Sequence, residues 1–252
     1  MSERVGSFRT RLKQGDPLIG TFLKTPSTIV AEVLGLSSLD AVAIDSEHAP
    51  FGRLEADGCI ASLRAADMPS LGRTPDDTAR EIRNALDCAA NGIIVPHVMS
   101  AAQAAAIVKA SHFGDGGRGY AGSPRAAGYG TRTMPEHLDR SRAETTVIVQ
   151  VEDIPALDHV PEIAAVDGVD AIFVGRADLA VAMGKSPMDQ AVIEAVEAIC
   201  ETCRAAGTTV GMFTPDLGEL PKWRELGASL FLLSSDQSFL LAGANNLAQS
   251  IR

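Results

Sequence analysis

The chain lacks any run of about 18 apolar residues, so no stretch of it reads as a membrane-spanning helix. Residues 1–11 carry charges but no apolar h-region, so they form no secretory signal, and a cytoplasmic protein is expected. Positive charge is in deficit: 22 Lys and Arg stand against 32 Asp and Glu, a net charge of −10. With a pI near 4.9, that excludes an electrostatic grip on nucleic acid or on an anionic membrane. Cysteine is scarce, at Cys59, Cys88, Cys200 and Cys203. Cys200 and Cys203 form a C-x-x-C inside a helical pattern (192–206), with no second pair to complete a zinc site. Redox use of the motif needs a helix N-terminus, so these thiols are expected to behave as small hydrophobes. No glycine-rich phosphate turn follows the first predicted strand, which counts against a doubly wound dinucleotide-binding sheet.

What is present is material for one large domain: 252 residues, 46% of them hydrophobic. Short apolar runs predict strands at 18–23, 41–45, 70–73, 92–98, 147–151, 171–174, 209–213 and 230–233. Helical patterns lie between them at 27–36, 54–66, 76–90, 101–111, 154–165, 189–206 and 217–226, with a last one after Asp236. Glycines at 92, 207 and 227 take the position just past a helix. This strict alternation predicts a single-domain (β/α)₈ barrel. One interval, Phe113–Thr146, is far longer than an ordinary connection, and it sets Arg118, Arg125 and Arg132 among glycines. Glycine permits close backbone approach and arginine binds carboxylates in bidentate fashion, so this loop is expected to form a wall of the active site.

The chain is organised around Val147–Met183. Two β-branched runs, 147–151 and 171–174, flank a helix that opens at Ile154-Pro155, a βαβ unit whose right-handed crossover makes the strands parallel neighbours. Each run leads to a carboxylate, Glu152 and then Asp178, so both acids can converge on one ion. Hard oxygen ligands of this kind suit Mg²⁺ or Mn²⁺. Alternatively Glu152 caps the next helix and Asp178 makes a turn, and spacing alone leaves both readings open. Catalytic groups of an α/β barrel gather at the C-terminal strand ends. Polar residues collect there: Asp45-Ser46-Glu47-His48, Arg73, Gln150 with Glu152, Gly175-Arg176-Ala177-Asp178, and Ser234-Ser235-Asp236.

The D-x-E-H of Asp45–His48, Arg73, the V-P-x-V of Val95–Val98, Arg118-Gly119, the Q-x-E of Gln150–Glu152 and the G-x-A-D-L…M-G of Gly175–Gly184 together resemble one family. This is the HpcH/HpaI family of class II, metal-dependent pyruvate aldolases, which includes 4-hydroxy-2-oxoheptanedioate and 2-keto-3-deoxy-sugar-acid aldolases. The resemblance spans about 18–236. It implies reversible cleavage of a 4-hydroxy-2-oxoacid to pyruvate, or a close 2-oxoacid, and an aldehyde. A divalent ion (Mg²⁺, Mn²⁺ or Co²⁺) on Glu152 and Asp178 is implied, with Arg73 stabilising the enolate and His48, held by Asp45, serving the C4 hydroxyl. Gln150 and the backbone around Gly175 and Ala177 would orient the 2-oxoacid, and Phe213 would either line the aldehyde pocket or pack in the core. Asp87 matches an acid that relatives place near a neighbouring subunit's site. The family implies a hexamer built as a trimer of dimers that exchange a C-terminal helix. Where relatives carry proline this chain has Arg176, expected either to turn outward to a surface acid or to meet the carboxylate of an acidic aldehyde. Alternatives are a CoA-ester lyase of the citramalyl or malyl type, a Schiff-base aldolase using Lys24, and a catalytically silent carboxylate-binding barrel. The D-x-E-H motif, the lack of lysine at the fifth to seventh strand ends, and the intact polar set respectively disfavour them.

Overall fold

A computed structural model describes residues 3–251. Eight parallel strands close into a barrel in sequence order: β1 (Leu18–Leu23), β2 (Ala41–Asp45), β3 (Ser70–Arg73), β4 (Gly92–Val95), β5 (Thr146–Val151), β6 (Ala171–Val174), β7 (Thr209–Phe213) and β8 (Ala228–Ser235). The expected (β/α)₈ architecture is present as one unit. No helix among the described residues is long and apolar enough to cross a membrane.

Strand parity divides the core. Ala41, Ala43, Leu71, Ile94, Ile148, Ala171, Phe173, Leu230 and Leu232 fill the barrel interior. Their neighbours Val147, Val149, Val151, Ile172 and Val174 pack outward under the helices. Each Val, Ile, Leu or Phe among them, taken fully out of water, contributes roughly 1.5–3 kcal/mol. Helix starts follow short polar caps: Ser27 accepts from the Val30 amide, Thr78 from Glu81, Ser100 from Gln103 and Ser235 from Ser238. Gly207, at φ 74°, closes the long helix Gln190–Ala206 as its sequence position foretells.

Several elements depart from expectation. A helix at Glu3–Gln14 was not foreseen; its Phe8 and Leu12 join the interior cluster and its Leu12 carbonyl accepts from Thr209 Oγ1 at 2.8 Å. It therefore plugs the N-terminal end of the barrel. β4 stops at Val95 rather than at Val98, because Pro96 has no amide for the ladder and His97 adopts φ 55°. Gly92 opens β4 instead of ending a helix. The expected helix at 154–165 is split into Ile154–Leu157 and Val160–Ala164 ahead of Pro161. A further short helix, Arg176–Ala182, follows β6. The long interval is not loop throughout: Thr133 and Glu136 form a reciprocal capping box that starts a helix at Met134–Glu144.

Candidate active site

The same parity that fills the barrel delivers the polar set to its mouth. Ala41 and Ala43 face inward, so Asp45, two further on, faces inward at the end of β2. The step from Leu71 brings Arg73 inward; from Ile148, Gln150; and from Phe173, Gly175. A cavity of about 340 Å³ opens there. His48, Arg73, Gln150, Gly175, Arg176, Ala177, Asp178 and Phe213 all line it, with Lys24 and Phe22 beside them.

Arg73 is held from several sides. Its Nη2 lies 2.7 Å from Asp45 Oδ2, its Nε donates to Asp45 Oδ1 at 2.9 Å, and Nε stands 3.3 Å from Glu47 Oε2. The guanidinium lies over the Phe22 ring at 4.5 Å. Burial pushes the Asp45 pKa up, but the Arg73 hydrogen bond and charge outweigh it. With help from the His48 amide and Lys24, they hold Asp45 below the usual carboxylate range. Asp45 therefore stays ionised and pins a cation in the mouth.

The expectation that Asp45 holds the His48 ring is corrected. Both Asp45 oxygens face Arg73, and Lys24 Nζ lies 3.3 Å from Oδ2, so only the His48 backbone amide reaches the carboxylate, at 3.1 Å. The imidazole projects into the cavity, half exposed, with Nε2 3.7 Å from Glu47 Oε2.

Glu152 is buried at the end of β5. One oxygen accepts from Gln150 Nε2 at 2.5 Å and the other from the His97 amide at 2.9 Å. A Cβ on Gly175 would lie 2.6 Å from the Glu152 Cβ, so the carboxylate's seat requires glycine there. Glu152, Glu47 and His97 each offer a ligand atom, and the three atoms lie within 4.8 Å of one another. Burial raises the pKa of both Glu47 and Glu152, and the charge of Asp178 adds to the rise at Glu152. Glu47 Oε2 is buried with no hydrogen-bond partner. Two crowded carboxylates and an imidazole form a donor set that would suit a divalent cation.

The scan against known families matches residues 18–242 to the HpcH/HpaI aldolase/citrate lyase family. The chain belongs to that family. Across the full length of both chains it is 33% identical to a hydroxypyruvate/pyruvate aldolase of Paraburkholderia phytofirmans. It is 31% identical to a 5-keto-4-deoxy-D-glucarate aldolase of Salmonella arizonae, covering 97% of this chain and 96% of the other. A solved HpcH/HpaI aldolase/citrate lyase family protein from Burkholderia cenocepacia superposes with a TM-score of 0.93 at 34% identity, over 98% and 99% of the two chains. The protein is a carbon–carbon lyase of the aldolase type.

In this HpcH/HpaI chain the structure adds two residues that the sequence reading left unassigned. Glu47 lay inside the quoted D-x-E-H and His97 inside the V-P-x-V. His97 was hidden because its signal is backbone: the strand ends at Val95, and the turn at φ 55° brings its amide to Glu152 and its ring Nδ1 within 3.0 Å of Asp153. Asp178 stands exposed in the first turn of Arg176–Ala182, lining the same mouth as Glu152's partner Gln150 but outside the three-residue donor group.

Arg176 follows neither expectation as stated. It is buried rather than turned to solvent, and its Nη1 donates to both oxygens of Glu219, at 2.9 and 3.1 Å. Burial pushes the Glu219 pKa up, yet the Arg176 bond and charge, with Thr214, bring it below its ordinary value. The cation next to Asp178 is thus neutralised internally.

The long segment is also corrected. Arg118 pairs with Asp87 and Arg125 with Asp57, while Arg132 donates to the Ala126 carbonyl. None of the three lines the mouth cavity. Arg118 and Arg125 tie the segment to the helices Ala79–Asp87 and Arg53–Ala65, because half-buried acids on those helices claim their guanidinium groups. Cys200 and Cys203 are buried, free and pushed up to about 12 by burial, as inert thiols should be.

Proposed function

We propose that this chain cleaves a 4-hydroxy-2-oxoacid, reversibly and with the help of a divalent metal, to pyruvate or a close 2-oxoacid such as hydroxypyruvate and an aldehyde. The observation that carries this is the Glu47–His97–Glu152 donor group, with Glu152 buried and His97 exposed, standing beside a guanidinium that Asp45 fixes 3.3 Å from Glu47. Glu152 and Asp178, with Glu47 and His97 alongside, would hold Mg²⁺, Mn²⁺ or Co²⁺, which would supply a Lewis acid for a 2-oxoacid's keto oxygen. Arg73 adds a permanent positive charge at the same place without reorganisation, since Asp45 already orients it. Gln150 and the backbone at Gly175 and Ala177 orient the 2-oxoacid. Gln150 Oε1 is buried without a protein partner, free to accept from substrate. His48 Nε2 accepts the proton of the C4 hydroxyl, a task suited to imidazole near neutral pH. Phe213 offers the aldehyde an apolar wall.

In the same reading Lys24 is no Schiff-base nucleophile, because its ammonium is paired with Asp45 at 3.3 Å. Assembly is proposed to be a homohexamer, a trimer of dimers working in the cytoplasm. Its support is the helix Asp236–Gln249, which leaves Leu240, Leu241 and Leu247 65–70% exposed. A monomeric mass by light scattering at micromolar concentration would count against it. The activity is tested by following pyruvate release from a panel of 4-hydroxy-2-oxoacids: release from at least one member is expected, and release from none would overturn the reading.

A further inference from the structure

A second polar cavity lies far from the mouth. It is lined by Asn91 and Thr145, which precede β4 and β5, and so it sits at the N-terminal end of the barrel, opposite the catalytic face. Four basic side chains reach it: Arg64, Arg118, His137 and Arg140. In a chain of net charge −10 such a gathering needs a cause.

The local acids do not balance it. Arg118 uses Nη2 on Asp87 and stacks its guanidinium on Phe113 at 4.6 Å, but its buried Nε has no partner. The His137 ring is wedged edge-on against Phe113 at 5.2 Å and its buried Nε2 has no partner either. Both residues are more than nine-tenths buried. Arg140 takes one oxygen of Glu144 at 2.9 Å, leaving Glu144 Oε1 buried and unpaired. Among the described residues Arg64 has no ion-pair partner at all; burial first, then the charges of Arg140 and Arg132, push its pKa down. The cavity therefore holds unpaired nitrogens on Arg64, Arg118 and His137 and one unused carboxylate acceptor.

That combination selects a ligand chemistry. The cavity, about 40 Å³, exceeds the ~10–15 Å³ that one water occupies, yet it is too small for a nucleotide. Several converging N–H donors favour a compact oxyanion. A lone carboxylate oxygen among them repels a fully deprotonated anion but accepts from one that keeps a hydroxyl. We propose that this cavity binds a small protonated tetrahedral oxyanion of the hydrogenphosphate class. Its oxygens accept from Arg64, Arg118 Nε and His137 Nε2, and its hydroxyl donates to Glu144 Oε1. Sulfate has the same shape and no proton to give at neutral pH, so it binds more weakly.

The test is calorimetric titration of the full-length, metal-loaded chain with inorganic phosphate and, separately, with sulfate. Phosphate is expected to bind at one site per chain at least about tenfold more tightly than sulfate. Arg64→Ala should weaken phosphate at least about tenfold, whereas Arg73→Ala, which disables the mouth, should leave that binding in place. Glu144→Gln should narrow the preference for phosphate, since an amide can donate to sulfate. Because the Glu144 variant also loses its Arg140 pair, a second readout keeps the test open: phosphate should raise the unfolding midpoint of the parent chain and not that of Arg64→Ala. Absence of phosphate binding, equal affinity for the two anions, or binding lost in Arg73→Ala but kept in Arg64→Ala would each overturn the proposal.

Discussion

Asp45 and Arg73 face each other in register on β2 and β3, with a hydrogen bond from Nε to Oδ1 at 2.9 Å and an ion-pair contact of Nη2 with Oδ2 at 2.7 Å. Asp45 is fully buried and Arg73 nearly so. Breaking such a pair leaves an uncompensated charge out of water. Asp45→Asn is expected to destabilise the fold by about 3–5 kcal/mol and, by freeing the guanidinium, to slow cleavage ~10²-fold. Urea unfolding and steady-state cleavage read the two effects. A variant unchanged in both would show that Asp45 does not position Arg73.

Arg73 and His48 divide the chemistry differently. In the proposed reaction Arg73 addresses the charge that develops on the 2-oxoacid, so Arg73→Ala should cripple both aldol cleavage and proton exchange at pyruvate C3. His48, whose half-exposed ring is not held by Asp45, addresses the C4 hydroxyl in the same proposal, so His48→Ala should damage cleavage by ~10²-fold and exchange far less. Equal losses in both assays for both variants would contradict this division.

The crowded carboxylates give stability an unusual pH dependence. Burial holds the pKa values of Glu47 and Glu152 above 4.5 in the folded chain. An acid whose folded pKa exceeds its unfolded value keeps its proton longer when folded. It therefore contributes stability at low pH that is lost as pH rises from about 4.5 through the folded value. Asp45, depressed below 3.8, works the other way and loses its contribution only as pH falls through its own folded pKa. In chelator, the unfolding midpoint should thus decline as pH rises above about 4.5, while saturating Mg²⁺ or Mn²⁺ should flatten the decline by favouring the ionised forms. Superimposable profiles with and without metal would argue against an ion at this cluster.

Arg176 and Glu219 form a largely buried salt bridge beside the mouth. Arg176→Ala strands Glu219 and should cost about 3 kcal/mol of stability. Because both oxygens of Glu219 already neutralise Arg176, the ratio of activities with an anionic and a neutral aldehyde acceptor should stay the same. A selective loss with the anionic acceptor would show instead that the guanidinium reaches substrate.

The barrel was legible because its strands are continuous apolar runs and its helices open on Ser, Thr or Asp caps, signals that are local in sequence. The mouth was legible for the same reason: parity alone carries Ala43 to Asp45 and Ile148 to Gln150. What escaped depends on contacts between distant segments. Whether Asp45 holds His48 or Arg73 is settled by the register of β2 against β3, and β3 is read only after the barrel closes. The arginines at 118 and 125 look like ligand binders in isolation, but Asp87 and Asp57 claim them from helices more than thirty and sixty residues earlier. His97 enters through a left-handed turn behind Pro96, and Phe8 with Leu12 through the closed end of a barrel that the N-terminal residues do not themselves form.

In the proposed reaction a cation at Glu152 and the Arg73 guanidinium together make the pyruvate enolate a leaving group. The most direct measurement is pyruvate release from a responsive 4-hydroxy-2-oxoacid by the parent chain and by Glu152→Gln, each in chelator and then across a titration of Mg²⁺, Mn²⁺ or Co²⁺. The parent should be silent in chelator and recover with metal. Glu152→Gln should need at least about tenfold more metal and remain ~10²-fold slower. Full activity in chelator, together with inactivation by borohydride in the presence of pyruvate, would contradict the account and point to a Schiff base at lysine.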